Sequence, residues 1–367
     1  MRLEDLPTPC LVLDRGILER NLRRMSDTMR RHGVALRPHL KTAKSAEVAA
    51  LATSRETGGI TVSTLAEAEY FAEHGFRDLM VANALPPMKL DRAAALIDRG
   101  VVVTLVTDDV AMAGAIAAHP GQFNVLVEID SGDQRAGVAP HQPEVLHVAA
   151  ALGDKLRGVM THAGHSYGCR SIECIQDTAE GERLAVVVAA GRLREAGLRC
   201  DVVSVGSTPT MTHARHLNGV TEGRPGVYMF QDLFQAEIGS CEKSDIAMTV
   251  LASVIGHNLG ASRILIDAGA IALSKDRSTQ ATEHDSGFGE IRDLMNGDRF
   301  GRCIIERAYQ EHGAARCSRA ALETLKIGDK VRVLPNHACL TASTHDRYYV
   351  VDGDTDVVAE WERVNGW

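Results

Sequence analysis

The chain has no CxxC pair, no GxGxxG run, no excess of positive charge and no unbroken apolar stretch of the length a membrane-spanning helix needs. Each absence removes a class of protein. Its eight cysteines, at 10, 169, 174, 200, 241, 303, 317 and 339, are dispersed. That spacing indicates neither a zinc knuckle nor a disulfide framework, and most are expected to be buried thiols. Without about 18 consecutive apolar residues, no helical membrane span is expected. Lysine and arginine number 40 against 48 acidic residues, a net charge of -8 that would repel a nucleic acid polyanion. The basic run from Arg20 to Arg31 reads as a solvated helix face. The opening MRLEDLPTPCLVLD lacks a basic start, a long apolar core and a small-residue cleavage site, so no secretory leader is expected and the default location is cytoplasmic.

What is present is alternation. Short β-branched runs, CLVLD, ALRPHL, GITVST, DLMVAN, VVVTLVT, NVLVEID, LRGVMTH and DVVSVGS, are separated by segments of helical period such as ILERNLRRMSDTMRRHG, KSAEVAALATSRETG and TLAEAEYFAEHGF. Strands alternating with helices must run parallel, because the crossover helix returns the chain to the same edge. Gly33, Gly58, Gly75, Gly100 and Gly197 stand where left-handed helix C-caps are needed. The number of units predicts a closed (β/α)8 TIM-like barrel over residues 10–243 rather than an open doubly wound sheet, and the missing GxGxxG weakens the dinucleotide alternative. From residue 244 the texture changes to strands without long helices: DIAMTVLASVIGH, RILIDAG, KVRVLP, RYYVVDG and VVAEWERV. Residues 244–367, with 1–9, are therefore expected to form a mostly β domain, interrupted by a polar excursion over about 275–320.

In a parallel barrel the chemistry collects at the C-terminal strand ends. Lys41 lies at such an end in RPHLKTAKS, as do Ser63, Thr64, Asn83, Asp130, Arg135, His162 and the turn Gly206, Ser207, Thr208. A lysine desolvated there can lose its proton and form a Schiff base, whereas Lys44 reads as a helix-start surface charge. The turns SVGSTP (204–209) and EGRPGVY (222–228) could aim backbone N–H groups at a phosphate. In PNHACLT (335–341), His337 and Cys339 would point to one side if the strand KVRVLP continued, giving an imidazole and a thiolate for a zinc-like ion with open positions for water or substrate. THAGHSYG (161–168) and QEHG (310–313) add polar candidates, among them His165.

Together these stretches resemble the pyridoxal-phosphate enzymes of the alanine racemase fold, and within it the D-serine dehydratase and D-threonine aldolase group. The resemblance runs through TPCLVLD, RPHLKTAKS, GITVSTLAEAE, VEIDSGDQRAGV, THAGHSYG, VVSVGSTPT, GRPGVYMF, QEHG, PNHACLT and WERVNGW. It implies that Lys41 carries pyridoxal 5'-phosphate and acts as base. Gly206, Ser207 and Thr208, with Gly226, Val227 and Tyr228, would cradle the phosphate. Arg135 would approach the cofactor ring, and His162 and Tyr167 would line the pocket. His337 and Cys339 become metal ligands, and cysteine at the second position resembles the zinc dehydratases of D-serine or D-threo-3-hydroxyaspartate, where the aldolases carry aspartate and favour manganese. The turn SVGSTP also looks dehydratase-like. The resemblance further implies a homodimer whose active site joins the barrel of one subunit to the β domain of the other, acting on a small D-amino acid. A substrate carrying a second carboxylate would need a further Arg, Lys or His in the pocket; Arg277, Arg347 and His345 are candidates, although each reads first as a surface residue. A metal-dependent aldolase is the alternative reading, and a non-catalytic pyridoxal-phosphate carrier a remoter one.

Overall fold

The computed structural model describes residues 1–54 and 58–367. It divides into two compact units, Arg24–Gly226 with Gly366–Trp367, and Met1–Arg23 with Val227–Asn365.

The first unit is a barrel of eight parallel strands. In chain order they are Ala35–Leu36, Ile60–Val62, Asp78–Val81, Val102–Thr107, Asn124–Glu128, Leu156–Met160, Val202–Val205 and Glu222–Gly223. Ala35 pairs with Glu222, and a parallel bridge between His39 and Thr61 closes the ring. These strands are short unbroken apolar runs because a barrel strand is covered on both faces, by the filled interior and by the helices outside. The crossover helices start where polar side chains meet free N–H groups: Thr64 accepts from Glu67, Asp109 from Met112 and Ser171 from Cys174. Helices end at left-handed glycines at 33, 75, 100 and 197. Gly58 differs, since it does not take the left-handed conformation; a Cβ there would lie 3.3 Å from the Leu36 carbonyl oxygen, so it serves close approach to a strand. The helix expected over 44–58 spans Ala46–Thr53, and positions 55–57 lie outside the described residues.

The second unit is built on a mixed sheet. Met248–Asn258, Arg263–Ile266, Gly313–Arg316, Ile304–Ala308, Gly289–Arg292 and Lys330–Pro335 pair in succession and back to Met248–Asn258, closing an antiparallel ring. Two expectations are corrected here. The segment 275–320 is not one long excursion: it contributes three short strands, two of them joined in a hairpin, and strands this short and polar leave little alternation to read. CLVLD, expected at the start of the barrel segment 10–243, is a strand of this second sheet, antiparallel to Met248–Asn258 and parallel to Arg347–Val351. It is buried along its whole length, so its sequence looks like that of a barrel strand. The change between units falls at 226/227 rather than 243/244.

Cysteine pairing also departs from expectation. Cys169 bonds Cys174, and Cys303 bonds Cys317, while Cys10, Cys200, Cys241 and Cys339 carry no disulfide. The second pair is brought together by the hairpin of Ile304–Ala308 and Gly313–Arg316, which places the residues flanking the two strands side by side. The arginines of the basic helical run are solvated, several paired with acids on the same helix, such as Arg30 with Asp27 at 2.7 Å. No helix among the described residues is long and apolar enough to cross a membrane.

Candidate active site

At the C-terminal end of the barrel the chain leaves Leu36, bridges at His39 and turns at once, with Lys44 N–H bonding the Leu40 carbonyl at 2.7 Å. Lys41 sits exposed on this turn, its backbone N–H 3.4 Å from His39 Nδ1. Lys44 is not the surface charge expected. It adopts a left-handed φ of 49° and its ammonium lies 3.2 Å from the carboxylate of Glu67, whose side chain is only 1% exposed.

His162 follows the strand Leu156–Met160, and its Nδ1 lies 2.6 Å from the Gly206 carbonyl oxygen. A carbonyl only accepts, so Nδ1 carries the proton and Nε2 keeps its lone pair. Burial, then the Lys41 charge, pushes His162 down to about 3, against the pull of the Gly206 carbonyl. Burial and then Lys41 also hold His39 well below its ordinary value. The unfolded chain therefore binds more protons than the folded chain below the ordinary imidazole range near 6.5. Stability is full above that range and falls as pH drops through it, by about 1.4 kcal/mol for His162 one pH unit below it, with His39 adding a loss of the same sign. Urea midpoints are expected to be lower at about pH 5.5 than at about pH 7.5, with a flatter profile in His162→Gln. Because His337, raised to about 11, changes stability in the opposite sense, the comparison of the two proteins decides: a wild-type profile no steeper than that of His162→Gln would contradict the environment of this ring.

Tyr167 stands in the short turn Gly164–Gly168, its ring centroid 6.4 Å from that of His162. Ser166 and Ser207, both buried, share a hydroxyl hydrogen bond of 2.9 Å. Gly206 has φ +151°, and a Cβ there would come within 2.5 Å of the Arg224 nitrogen; a Cβ on Gly226 would meet the His39 carbonyl oxygen at 2.9 Å. Only glycine lets the two phosphate-candidate turns close on each other and on the lysine turn. The expectation that Gly206 N–H faces a phosphate is corrected. That N–H donates to Glu182 Oε1 at 3.0 Å, and Ser207 N–H to Thr210 Oγ1 at 3.2 Å. Glu182, fully buried on the long helix Ile172–Glu195, takes the Ala163 N–H on the same oxygen at 3.0 Å and so ties the His162 turn to the Ser207 turn. Burial raises its carboxyl above the ordinary value.

Arg224 is a second residue the motif reading missed. It is 4% exposed, bonds the Val205 and Thr161 carbonyls, and its charge is felt by both His39 and His162. Its one signal was a charged residue beside the Gly-Pro turn at a strand end. Arg135, by contrast, is 61% exposed and 3.9 Å from Glu128. Ser63 and Asp130 hold local backbone: Ser63 N–H bonds Glu67, and Asp130 accepts from Gly132 and Gln134. Gly226 ends the barrel unit, while Val227 and Tyr228 are buried in a turn that opens the long segment of the second unit.

In the second unit, PNHACLT does not stay extended. The strand Lys330–Pro335 stops, His337 caps a short helix, Ala338–Ala342, and Cys339 lies in its first turn. The two side chains still meet, because the helical turn folds them together: the Cys339 side chain hydrogen-bonds His337. Burial alone would lower His337, but the hydrogen bond to Asp276, then Cys339, outweighs it and pushes the imidazole up to about 11. Asp232, buried, accepts the Ala338 N–H at 2.9 Å and so holds the backbone between the pair. Among the described residues no third His, Cys, Asp or Glu joins them as a metal-binding group. An imidazole and a soft thiol fit a zinc-like ion that keeps open positions, and do not fit a closed structural site. The other carboxylate-binding candidates are committed elsewhere: Arg277 to Asp285, Arg347 to Asp346 and Glu360, His345 to the Ala272 carbonyl. QEHG forms the hairpin turn at Gly313.

Residues 13–233 match the family description "Alanine racemase, N-terminal domain", and residues 247–351 match "Putative serine dehydratase domain". Over 99% of the chain and 98% of the relative, it is 43% identical to D-threo-3-hydroxyaspartate dehydratase of Delftia sp.. It is 29% identical to D-serine dehydratase of Dictyostelium discoideum, over 100% and 98% of the two chains. A 3-hydroxy-D-aspartate aldolase of Paracoccus denitrificans is 30% identical, over 94% of this chain and 88% of the relative. The solved structure of the Delftia dehydratase superposes with a TM-score of 0.96 at 42% identity, covering 100% of both chains. A cysteine-to-alanine variant of that enzyme, solved in the metal-free form, superposes equally well, covering 100% of both chains at 41% identity.

Proposed function

Because the chain belongs to the fold type III family that joins an alanine racemase N-terminal domain to a serine dehydratase domain, we propose that it is a dehydratase of β-hydroxy D-amino acids. It would use pyridoxal phosphate and a divalent ion, zinc before manganese. The substrates of choice are D-threo-3-hydroxyaspartate, giving oxaloacetate and ammonia, and D-serine, giving pyruvate and ammonia. The observation that carries the reading is the His337–Cys339 contact, a soft donor pair suited to a Lewis-acidic ion that assists departure of a β-hydroxyl.

The barrel residues divide the remaining work. Bound at the barrel end, pyridoxal phosphate supplies an electron sink for charge developing at the substrate α-carbon. Lys41, exposed on its turn and with its charge acting on His39 and His162, would take the α-proton. His162 is held neutral, with its proton fixed on Nδ1 by the Gly206 carbonyl, so its ring adds no competing cation near the amine. Thr208, Gly226, Val227 and Tyr228 are proposed to bind the phosphate, with Gly206 and Ser207 shaping the turn through their bonds to Glu182 and Thr210, and Arg135 and Tyr167 at the pocket. Arg224 adds a buried positive charge at the same barrel end. A homodimer in the cytoplasm completes the reading.

An aldolase would break the bond between the α and β carbons instead, and the aldolase relative keeps that alternative in view. The test is product analysis with D-threo-3-hydroxyaspartate, D-serine and D-threonine, each with and without chelator. Formation of 2-oxo acid and ammonia is expected from the first two. Glycine and an aldehyde as main products would replace the dehydratase reading with the aldolase one.

A further inference from the structure

His337 and Cys339 come from one short stretch, but the group that orients the histidine comes from elsewhere. Asp276 Oδ2 bonds His337 Nδ1, across 61 residues of sequence. The other carboxylate oxygen, Oδ1, accepts the Ser278 hydroxyl at 3.0 Å, and the Asp276 backbone N–H donates to Ser274 Oγ at 3.0 Å. Both oxygens are thus assigned, and the backbone beneath them is held. We propose that Asp276 is the positioning residue of the metal pair: it holds the His337 proton on Nδ1, so that a binding ion displaces the Nε2 proton and ligates at that nitrogen.

The physical reason is tautomeric. An imidazole ligates through one nitrogen only if its proton stays on the other, and a carboxylate on that second nitrogen fixes the tautomer, fixes the ring and makes the ligating nitrogen more basic. Asp276 is not itself read as a ligand, because its oxygens face His337 and Ser278 and no three-donor cluster exists among the described residues. With only two protein donors, the pair depends on pre-orientation more than a closed four-donor site does. Nothing in PNHACLT signals this residue.

The inference rests on the metal reading above, and the experiment separates the two. Chelator-stripped, cofactor-loaded full-length protein is titrated with zinc against a chromophoric chelator, as wild type and as Asp276→Asn, Asp276→Glu and His337→Ala. Asp276→Asn is expected to weaken zinc binding about 10- to 100-fold with the stoichiometry unchanged, and Asp276→Glu to recover part of the loss. The visible absorbance of the bound cofactor and the circular dichroism spectrum serve as controls for a general loss of structure, and neither is expected to move with Asp276→Asn. Wild type that binds no zinc overturns the metal reading and this inference with it. Wild-type binding with an unchanged Asp276→Asn overturns the inference alone. A loss as large as that of His337→Ala would make Asp276 a ligand and overturn its positioning role.

Discussion

Lys41→Ala is expected to abolish turnover, by about 10³-fold or more, and to remove the visible absorbance of a lysine-linked cofactor. Lys44→Ala is expected to keep the absorbance and lose stability instead. The two lysines lie three positions apart, yet their surroundings differ in kind. Lys41 is exposed at the barrel end, and its charge acts on the half-buried imidazoles of His39 and His162. Lys44 is turned away by its left-handed backbone onto Glu67, a carboxylate sealed inside the unit. Removing Lys44 leaves that carboxylate with its Ser63 N–H bond but no cation, and should cost roughly 1–3 kcal/mol of stability while the absorbance stays. Absorbance spectra and urea melts of the two variants decide the matter. A Lys41→Ala protein that retained the band would reassign the cofactor lysine.

The second large effect concerns the metal pair. Cys339→Ala, His337→Ala or exhaustive chelation should each lower dehydration by roughly 10²- to 10⁴-fold, the several kcal/mol that Lewis-acid help to a poor leaving group is worth. The cofactor band should survive, because Lys41 belongs to the other compact unit. Cys339→Asp exchanges a soft donor for a hard one, and should shift metal preference from zinc toward manganese. Elemental analysis beside turnover checks all of these. Full dehydration by protein proved free of metal would refute the role of the pair.

Much of the fold was legible along the chain. A strand covered on both faces must be apolar throughout, and a crossover helix must be amphipathic, so the alternation through Val205 announced a parallel barrel before any contact was known. Strand ends then pointed to Lys41, His162 and the Gly206 turn, because topology alone places those positions at one mouth. The same logic failed for CLVLD. An apolar run says that a strand is buried, not which sheet buries it, and its partners, Met248–Leu251 and Tyr348–Val351, lie hundreds of residues away.

Motif reading reached only residues whose chemistry is carried by near neighbours. HAC announced a donor pair, although the pair meets through a helical turn and not along an extended strand. Asp276, Asp232 and Glu182 were silent, and Arg224 nearly so, because an isolated acid or arginine gives no sign that folding will strip it of water and set it on one particular backbone N–H, carbonyl or ring nitrogen. Local sequence thus decided the elements, the lysine at a strand end and the soft donor pair, all properties of period and side-chain type. Chain folding alone decided which sheet took the first strand, which lysine was buried against an acid, and which carboxylates hold the candidate groups, since those depend on desolvation by partners far away in sequence.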